Sequence, residues 1–324
     1  MDFLNSIKVL PKNTRIFVVR AGNNARYREI FETESKVFLE IPGVTPIADF
    51  IEKGDSEHIR KLLQRSMDII RKKEPKSLED YDGNKTLVAP LLGSFVSLYA
   101  KARKGDLILV PNIGYQAPFL IGEVISDFSD DDTLFLNKYQ GYKIPYREVR
   151  WLSKDINKKK ATTELSDKLK NRKAVIEITE TAIKKEIFGY AYKKYVYNDS
   201  SKACLSGAKY NGKNLQGIID TLQAVQILME KLGIQDDIDV KINFNSPGNI
   251  NIFGNGSKAI IVAAIVSSCL AGATYADTKQ DLQESEIVQE CQDSPILDSL
   301  DEKTYQEVCD KTQKAEKEIQ LEVP

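Results

Sequence analysis

Lys104-Gly105-Asp106-Leu107-Ile108-Leu109-Val110-Pro111 is followed by Phe119-Leu120-Ile121-Gly122-Glu123-Val124-Ile125 and then by Tyr146-Arg147-Glu148-Val149-Arg150-Trp151-Leu152. Gly-Asp ahead of an aliphatic, β-branched run is turn chemistry that launches a strand. Pro111 closes that strand because proline cannot donate to a ladder. Three such runs in close succession predict a small β-barrel over residues 101–152, ending on the only tryptophan of the chain.

Working outward, Thr14 to Arg20 alternates as a strand and Asn23 to Glu32 reads as a short helix bearing Tyr27, Ile30 and Phe31 on one side. Val37 to Ile41 reads as a further strand closed by Pro42-Gly43. Between Ser56 and Lys73, Ile59, Leu62, Leu63, Met67, Ile69 and Ile70 recur at helical spacing, and Pro75 ends the pattern. A helix over Leu87 to Lys101 leads into the Lys-Gly-Asp turn. Beyond Trp151 come the Lys-rich stretch Lys154 to Lys160, a helix from Glu164 to Lys170 and a last strand, Ala174 to Ile178.

Together with Phe17-Val18-Val19-Arg20-Ala21-Gly22, this order of elements resembles the N-terminal module of Mrr-like restriction proteins, relatives of the EVE and PUA-like barrels. The resemblance covers roughly residues 14 to 180 and rests on order and spacing. It implies a PUA/EVE-like barrel with flanking helices that clasps nucleic acid, in a prokaryotic restriction or antiphage defence system. On that barrel Arg20, Arg26, Lys104, Arg147 and Arg150 are expected to neutralise phosphates, while Tyr27, Tyr115 and Trp151 offer stacking surfaces, Trp151 being equally a core residue because it alternates with Arg150 on a strand.

The net charge of −1 hides an asymmetry. Lys143 to Lys173 holds eleven Lys or Arg against four Asp or Glu, a balance of +7; Asp277 to Pro324 holds five against fourteen, a balance of −9. Opposed segments of this kind fit a nucleic-acid face and an acidic appendage, two mutually attracting regions, or two solvated faces. All four cysteines, Cys204, Cys269, Cys291 and Cys309, lie in the C-terminal part without zinc-knuckle spacing, and His58 is the only histidine. Met1 to Arg20 contains no secretory pattern. The expectation is a cytoplasmic protein with free thiols.

The C-terminal region reads as a smaller α+β unit: a helix from Leu215 to Leu232 stopped by Gly233, a hairpin of Ile238 to Phe244 and Ile250 to Phe253 turning on Asn245-Ser246-Pro247-Gly248, then an uncharged run. That run, Ala259 to Ala276, is expected as a buried apolar helix. At about 1.5 Å per residue it also meets the lower limit for crossing a bilayer. The overall expectation is thus an α+β chain: residues 1–180 for nucleic-acid recognition, 181–212 a linker, 213–277 for assembly or effector recruitment, and 278–324 an acidic tail.

The linker interleaves Tyr190, Tyr192, Tyr195 and Tyr197 with Lys193 and Lys194, which suits either single-strand stacking or packing on the barrel. Catalytic signals are sparse. Asp239-Val240-Lys241 has the Asp-x-Lys half of a metal-dependent nuclease motif, with Asp220 or Asp236 as the partner. Asp127 to Asp132 reads as a solvated loop without calcium-loop spacing. Gly254-Asn255-Gly256-Ser257-Lys258 lacks phosphate-loop spacing, yet sits between strand and helix where an anion can be held. No catalytic residue, metal or cofactor is assigned. The expected partners are nucleic acid, DNA ahead of RNA, and a second copy or an effector through the C-terminal region. A membrane-acting effector and a metal-dependent nuclease are the alternatives.

Overall fold

The computed structural model describes residues 2–114, 117–139, 141–210, 212–243 and 248–324. The chain is a mixed α+β protein. It divides into two compact units, residues 13–191 and residues 1–12 joined with 192–324. The first twelve residues therefore leave the expected N-terminal domain. They carry α1 (Asp2–Asn5) and β1 (Lys8–Leu10), and β1 pairs in parallel with β10 (Tyr195–Tyr197) of the C-terminal unit.

The unit of residues 13–191 runs β2 (Ile16–Val19), α2 (Arg28–Glu34), β3 (Lys36–Val37), α3 (Ala48–Glu52), α4 (Ser56–Ile70), α5 (Lys85–Phe95), β4 (Leu107–Val110) and β5 (Phe119–Val124). It continues through β6 (Thr133–Phe135), β7 (Lys143–Pro145), β8 (Arg147–Ile156), α6 (Thr163–Lys170), β9 (Val175–Ile178) and α7 (Thr181–Ala191). Its six-stranded sheet has the order β3-β8-β5-β4-β2-β9. The expected barrel does not close: the sheet is a curled half-barrel with β3 and β9 at its edges. Register shifts between β5 and β8 at Phe119, Ile121 and Gly122 mark an irregularity of the kind that bends and twists a strand pair.

The Lys-Gly-Asp turn has a definite mechanical role. Gly105 takes φ 89, and the nearly buried Asp106 carboxylate accepts from Arg103 N at 2.8 Å and from Arg15 N at 2.8 Å. One side chain thus closes the turn and docks the start of β2 beside β4, its parallel neighbour. Trp151 packs inward rather than outward. Its ring lies over Gly122, where an added Cβ would meet Trp151 Cε3 at 2.9 Å, and its Nε1 donates to Phe31 O at 3.1 Å. Tyr99, fully buried on the turn that extends α5, donates to Pro145 O at 2.7 Å and accepts from Leu39 N at 3.1 Å.

The second unit contains β10, β11 (Ser200–Gly207), α8 (Leu215–Leu232), β12 (Ile238–Asn243), β13 (Gly248–Asn255), α9 (Lys258–Ala271), α10 (Tyr275–Glu284), α11 (Glu286–Glu290), α12 (Glu302–Ile319) and β14 (Leu321–Glu322). The main path of its sheet is β1-β10-β11-β13-β12, with β14 beside β11. The hairpin turn at 244–247 lies outside the described residues.

Three sequence expectations are corrected here. Residues 181–212 are not a linker: they supply α7, β10 and β11, and β11 is central to the second sheet. Residues 278–324 are not a tail. On α12, Tyr305, Val308, Cys309, Thr312, Ala315 and Ile319 form a buried stripe at helical spacing. Gly207 and Gly217 make room for its end, since a Cβ at either would press within 2.8 Å and 2.6 Å of the Ile319 side chain. Finally, the run 259–276 is not one helix. Gly272 at φ 71 ends α9 in the left-handed conformation, and Thr274 caps α10. Residues 259–266 of α9 are all fully buried, and among the described residues no helix is long and apolar enough to cross a membrane.

Candidate nucleic-acid interface

In the unit of residues 13–191, a groove of about 620 Å³ opens where the sheet meets α6. Its walls are the residues that follow β2 (Arg20, Ala21 and Gly22), the turn at Asn24 and Ala25, the segment after β4 from Pro111 to Gly114, the Lys-rich stretch after β8, and one side of α6. Gly22, Asn24 and Ala25 adopt φ 72, 54 and 50. For Ala25 this is an unfavourable conformation, of a kind that clusters at ligand-binding sites.

Arg20, Lys158, Lys159 and Lys170 line the groove, and no carboxylate does among the described residues. Carbonyl groups hold the first two cations in place. Arg20 donates to Lys170 O at 2.9 Å and to Asn171 O at 2.5 Å, capping the negative end of α6. Lys158 Nζ donates to Asn112 O at 2.6 Å and Gly114 O at 3.0 Å. Burial lowers the Lys158 pKa, and the charges of Arg20, Arg28 and Lys170 lower it further. Burial and Arg172 lower that of Arg20. Like charges are thus gathered against their own repulsion. Asn24, Asn112, Thr163 and Ser166 add neutral polar groups to the lining. Lys170 also pairs with the exposed Asp167 at 3.3 Å.

Of the sequence-derived binding residues, Arg20 lies in this groove and the others do not gather there. Arg26 and Tyr27 turn to Glu40, which also accepts from Lys138 and Tyr139. Burial pushes the Glu40 carboxyl up, but these hydrogen bonds and the Lys138 charge outweigh it, and the net shift is downward. Lys104 is an exposed turn residue whose backbone N–H reaches Asp127 at 3.3 Å. Tyr115 lies outside the described residues. Arg150 pairs with Glu123 at 2.6 Å, and Trp151 is committed to packing on Gly122.

Arg147 is the clearest correction. It is 1% exposed, so it cannot reach a phosphate; its Nη2 donates to Ser126 O at 2.7 Å. Burial lowers its pKa, while Asp127 and Asp132 act in the opposite direction. Those residues belong to the loop expected to be merely solvated. Its Asp130 also caps the start of α3, accepting from Ile47 N at 2.6 Å and Ala48 N at 3.0 Å. Arg147 shares its face of β8 with the buried Val149, whereas Arg150 lies on the opposite, exposed face, so the two arginines expected to act together are separated by strand alternation.

Lys158, Lys159 and Lys170 were missed as individual site residues, although the net +7 segment contains them. Charge density was the available signal; the partner segment Pro111–Gly114 was visible only after folding.

In the second unit, the anion seat foreseen at residues 254–258 is filled from within. The Asp293 carboxylate accepts from Ser257 N at 2.6 Å and Ser257 Oγ at 2.8 Å, and Lys258 Nζ lies 3.4 Å from it. The nuclease half-motif does not assemble either. Asp239 and Lys241 pair with each other at 3.4 Å on an exposed strand, and Asp220 is buried on α8, 3.7 Å from Lys311. Among the described residues no group of three His, Cys, Asp or Glu side chains is placed to hold a metal ion. The expected free thiols are corrected for one pair: Cys269 and Cys309 form a disulfide between α9 and α12, leaving Cys204 and Cys291 free. No family model, no curated protein and no solved structure matches this chain.

Proposed function

We propose that the unit of residues 13–191 recognises nucleic acid by seating its phosphate backbone in the groove lined by Arg20, Lys158, Lys159 and Lys170. The observation that carries this reading is the concentration of cations with no lining carboxylate among the described residues, two of the cations held by backbone carbonyls. Such a site attracts polyanions irrespective of base sequence, because phosphate contacts supply affinity and register. Its volume lies within the range of about 300–1,000 Å³ that ligand sites commonly occupy, so one or two nucleotide units fit it. We propose DNA ahead of RNA as the ligand, and a role in prokaryotic restriction or antiphage defence. That setting rests on the resemblance in element order described above. The chain is read as a recognition protein, with the second unit serving assembly.

The test is fluorescence anisotropy of the full chain with duplex DNA, single-stranded DNA, RNA and mononucleotides, comparing wild type with Lys158→Met/Lys159→Met/Lys170→Met. Binding of an oligonucleotide that the triple variant loses supports the reading. Unaltered binding by the triple variant, or preference for mononucleotides over every polymer, overturns it.

A further inference from the structure

The sheet of the second unit ends on β12, and among the described residues no further strand pairs with its outer edge. An edge strand presents unpaired N–H and C=O groups and is a template for another strand. Its residues Ile238-Asp239-Val240-Lys241-Ile242 read symmetrically about Val240: aliphatic, charged, aliphatic, charged, aliphatic, with the two charges opposite in sign. Asp239 and Lys241 share one face, with side chains 66% and 67% exposed. Ile238 and Val240 lean on the core from the other face, while Ile242 on that face is 36% exposed.

We propose that two copies of this chain join antiparallel through β12, with Val240 opposite Val240 of the second copy. In that register each Asp239 faces Lys241 of the other copy and each Lys241 faces Asp239, giving two cross-strand ion pairs. Each Ile242 faces Ile238 of the other copy, so the exposed aliphatic side chain is covered and the apolar face continues across the junction. Two sheets become one continuous sheet about a two-fold axis, an isologous contact that closes at two copies. The same residues oppose the alternatives. Parallel in-register pairing sets Asp239 on Asp239 and Lys241 on Lys241, and like charges directly opposite are destabilising. A one-residue slip moves the aliphatic set to the wrong face. Lys241 alone would be an ordinary guard on an edge strand; the matched Asp239 makes the edge selective for its own copy.

Sedimentation equilibrium on the full chain tests this with a charge-swap set. Wild type is expected to dimerise reversibly. Asp239→Lys places Lys opposite Lys twice, and Lys241→Asp places Asp opposite Asp twice, so each alone should raise the dimer dissociation constant by about tenfold or more. The double swap Asp239→Lys/Lys241→Asp should recover the wild-type constant. An equimolar mixture of the two single variants should form a heterodimer where neither self-associates. Both side chains are exposed, and circular dichroism verifies that the variants fold. A wild type that stays monomeric up to about 1 mM, or a dimer indifferent to the single swaps, overturns the proposal, as does a double swap that fails to recover association.

Discussion

Replacing Lys158 by Met removes one of the four groove cations while keeping the length of the stem. Neutralising a phosphate on duplex DNA contributes about −0.9 to the slope of log K against log salt, and about −0.7 on a single strand. With Arg20, Lys158, Lys159 and Lys170 each engaging one phosphate, the expected slope is about −3.6 on duplex DNA and about −2.8 on a single strand. Between about 50 and 200 mM salt, affinity should then fall about 150-fold for duplex and about 50-fold for single strands. Lys158→Met should reduce the duplex slope by about 0.9 and weaken binding about eightfold at about 0.1 M salt, roughly 1.2 kcal/mol. The same substitution acts on stability in two opposed ways: it relieves the repulsion among the groove cations and removes the hydrogen bonds of Lys158 Nζ to Asn112 O and Gly114 O. Burial and the charges of Arg20, Arg28 and Lys170 depress the folded-state pKa of Lys158, so its charge opposes folding at neutral pH. That opposition fades as the pH rises from the folded-state value through the unfolded one, so the stability of the variant relative to wild type should fall in the alkaline range. Anisotropy titrations at several salt concentrations and urea unfolding at neutral and alkaline pH measure both. A variant with unchanged slope and affinity, or one whose stability relative to wild type does not fall in the alkaline range, would refute the electrostatic account of the groove.

Glu40→Gln should cost about 1–3 kcal/mol at neutral pH, because a carboxylate accepting from Arg26, Tyr27, Lys138 and Tyr139 becomes a neutral amide that cannot satisfy the same donors. Since the Glu40 pKa is lowered by folding, its contribution is present above the unfolded value and is lost as the pH falls through the folded one. Urea midpoints of wild type and variant should therefore converge in acid. Ile261→Ala on α9, where the side chain is fully buried, should destabilise the chain by about 2–4 kcal/mol in chemical denaturation, and a loss below about 1 kcal/mol would contradict its place in the core. Reduction of the Cys269–Cys309 disulfide, which spans a sequence separation of 40, should lower stability by about 4 kcal/mol on loop entropy, whereas Cys309→Ala should make the chain indifferent to reductant.

What could be read from sequence was local. The helix Leu215–Leu232 with its Gly233 stop appears as expected, because an eighteen-residue periodic pattern and a left-handed cap are properties of the segment itself. The strands at Leu107–Val110 and Phe119–Val124 and the turn before them were legible for the same reason. The net +7 segment likewise announced a cationic surface, since charge is a property of composition.

Tertiary structure decided everything that depends on partners distant in the chain. Whether Arg147 meets solvent or the acidic loop at 127–132, and whether Trp151 stacks on a base or on Gly122, turned on which face of β8 the rest of the unit covers. The acidic C-terminal stretch reads as a tail because its apolar stripe is diluted by charge, yet α12 is buried along that stripe once Gly207 and Gly217 leave space for Ile319. The groove itself joins residues 20–25, 111–114 and 158–170, segments that no spacing rule connects. Periodicity and composition report what each segment prefers; long-range packing selects which of those preferences are satisfied together, because burial and charge pairing are energies between segments rather than within them.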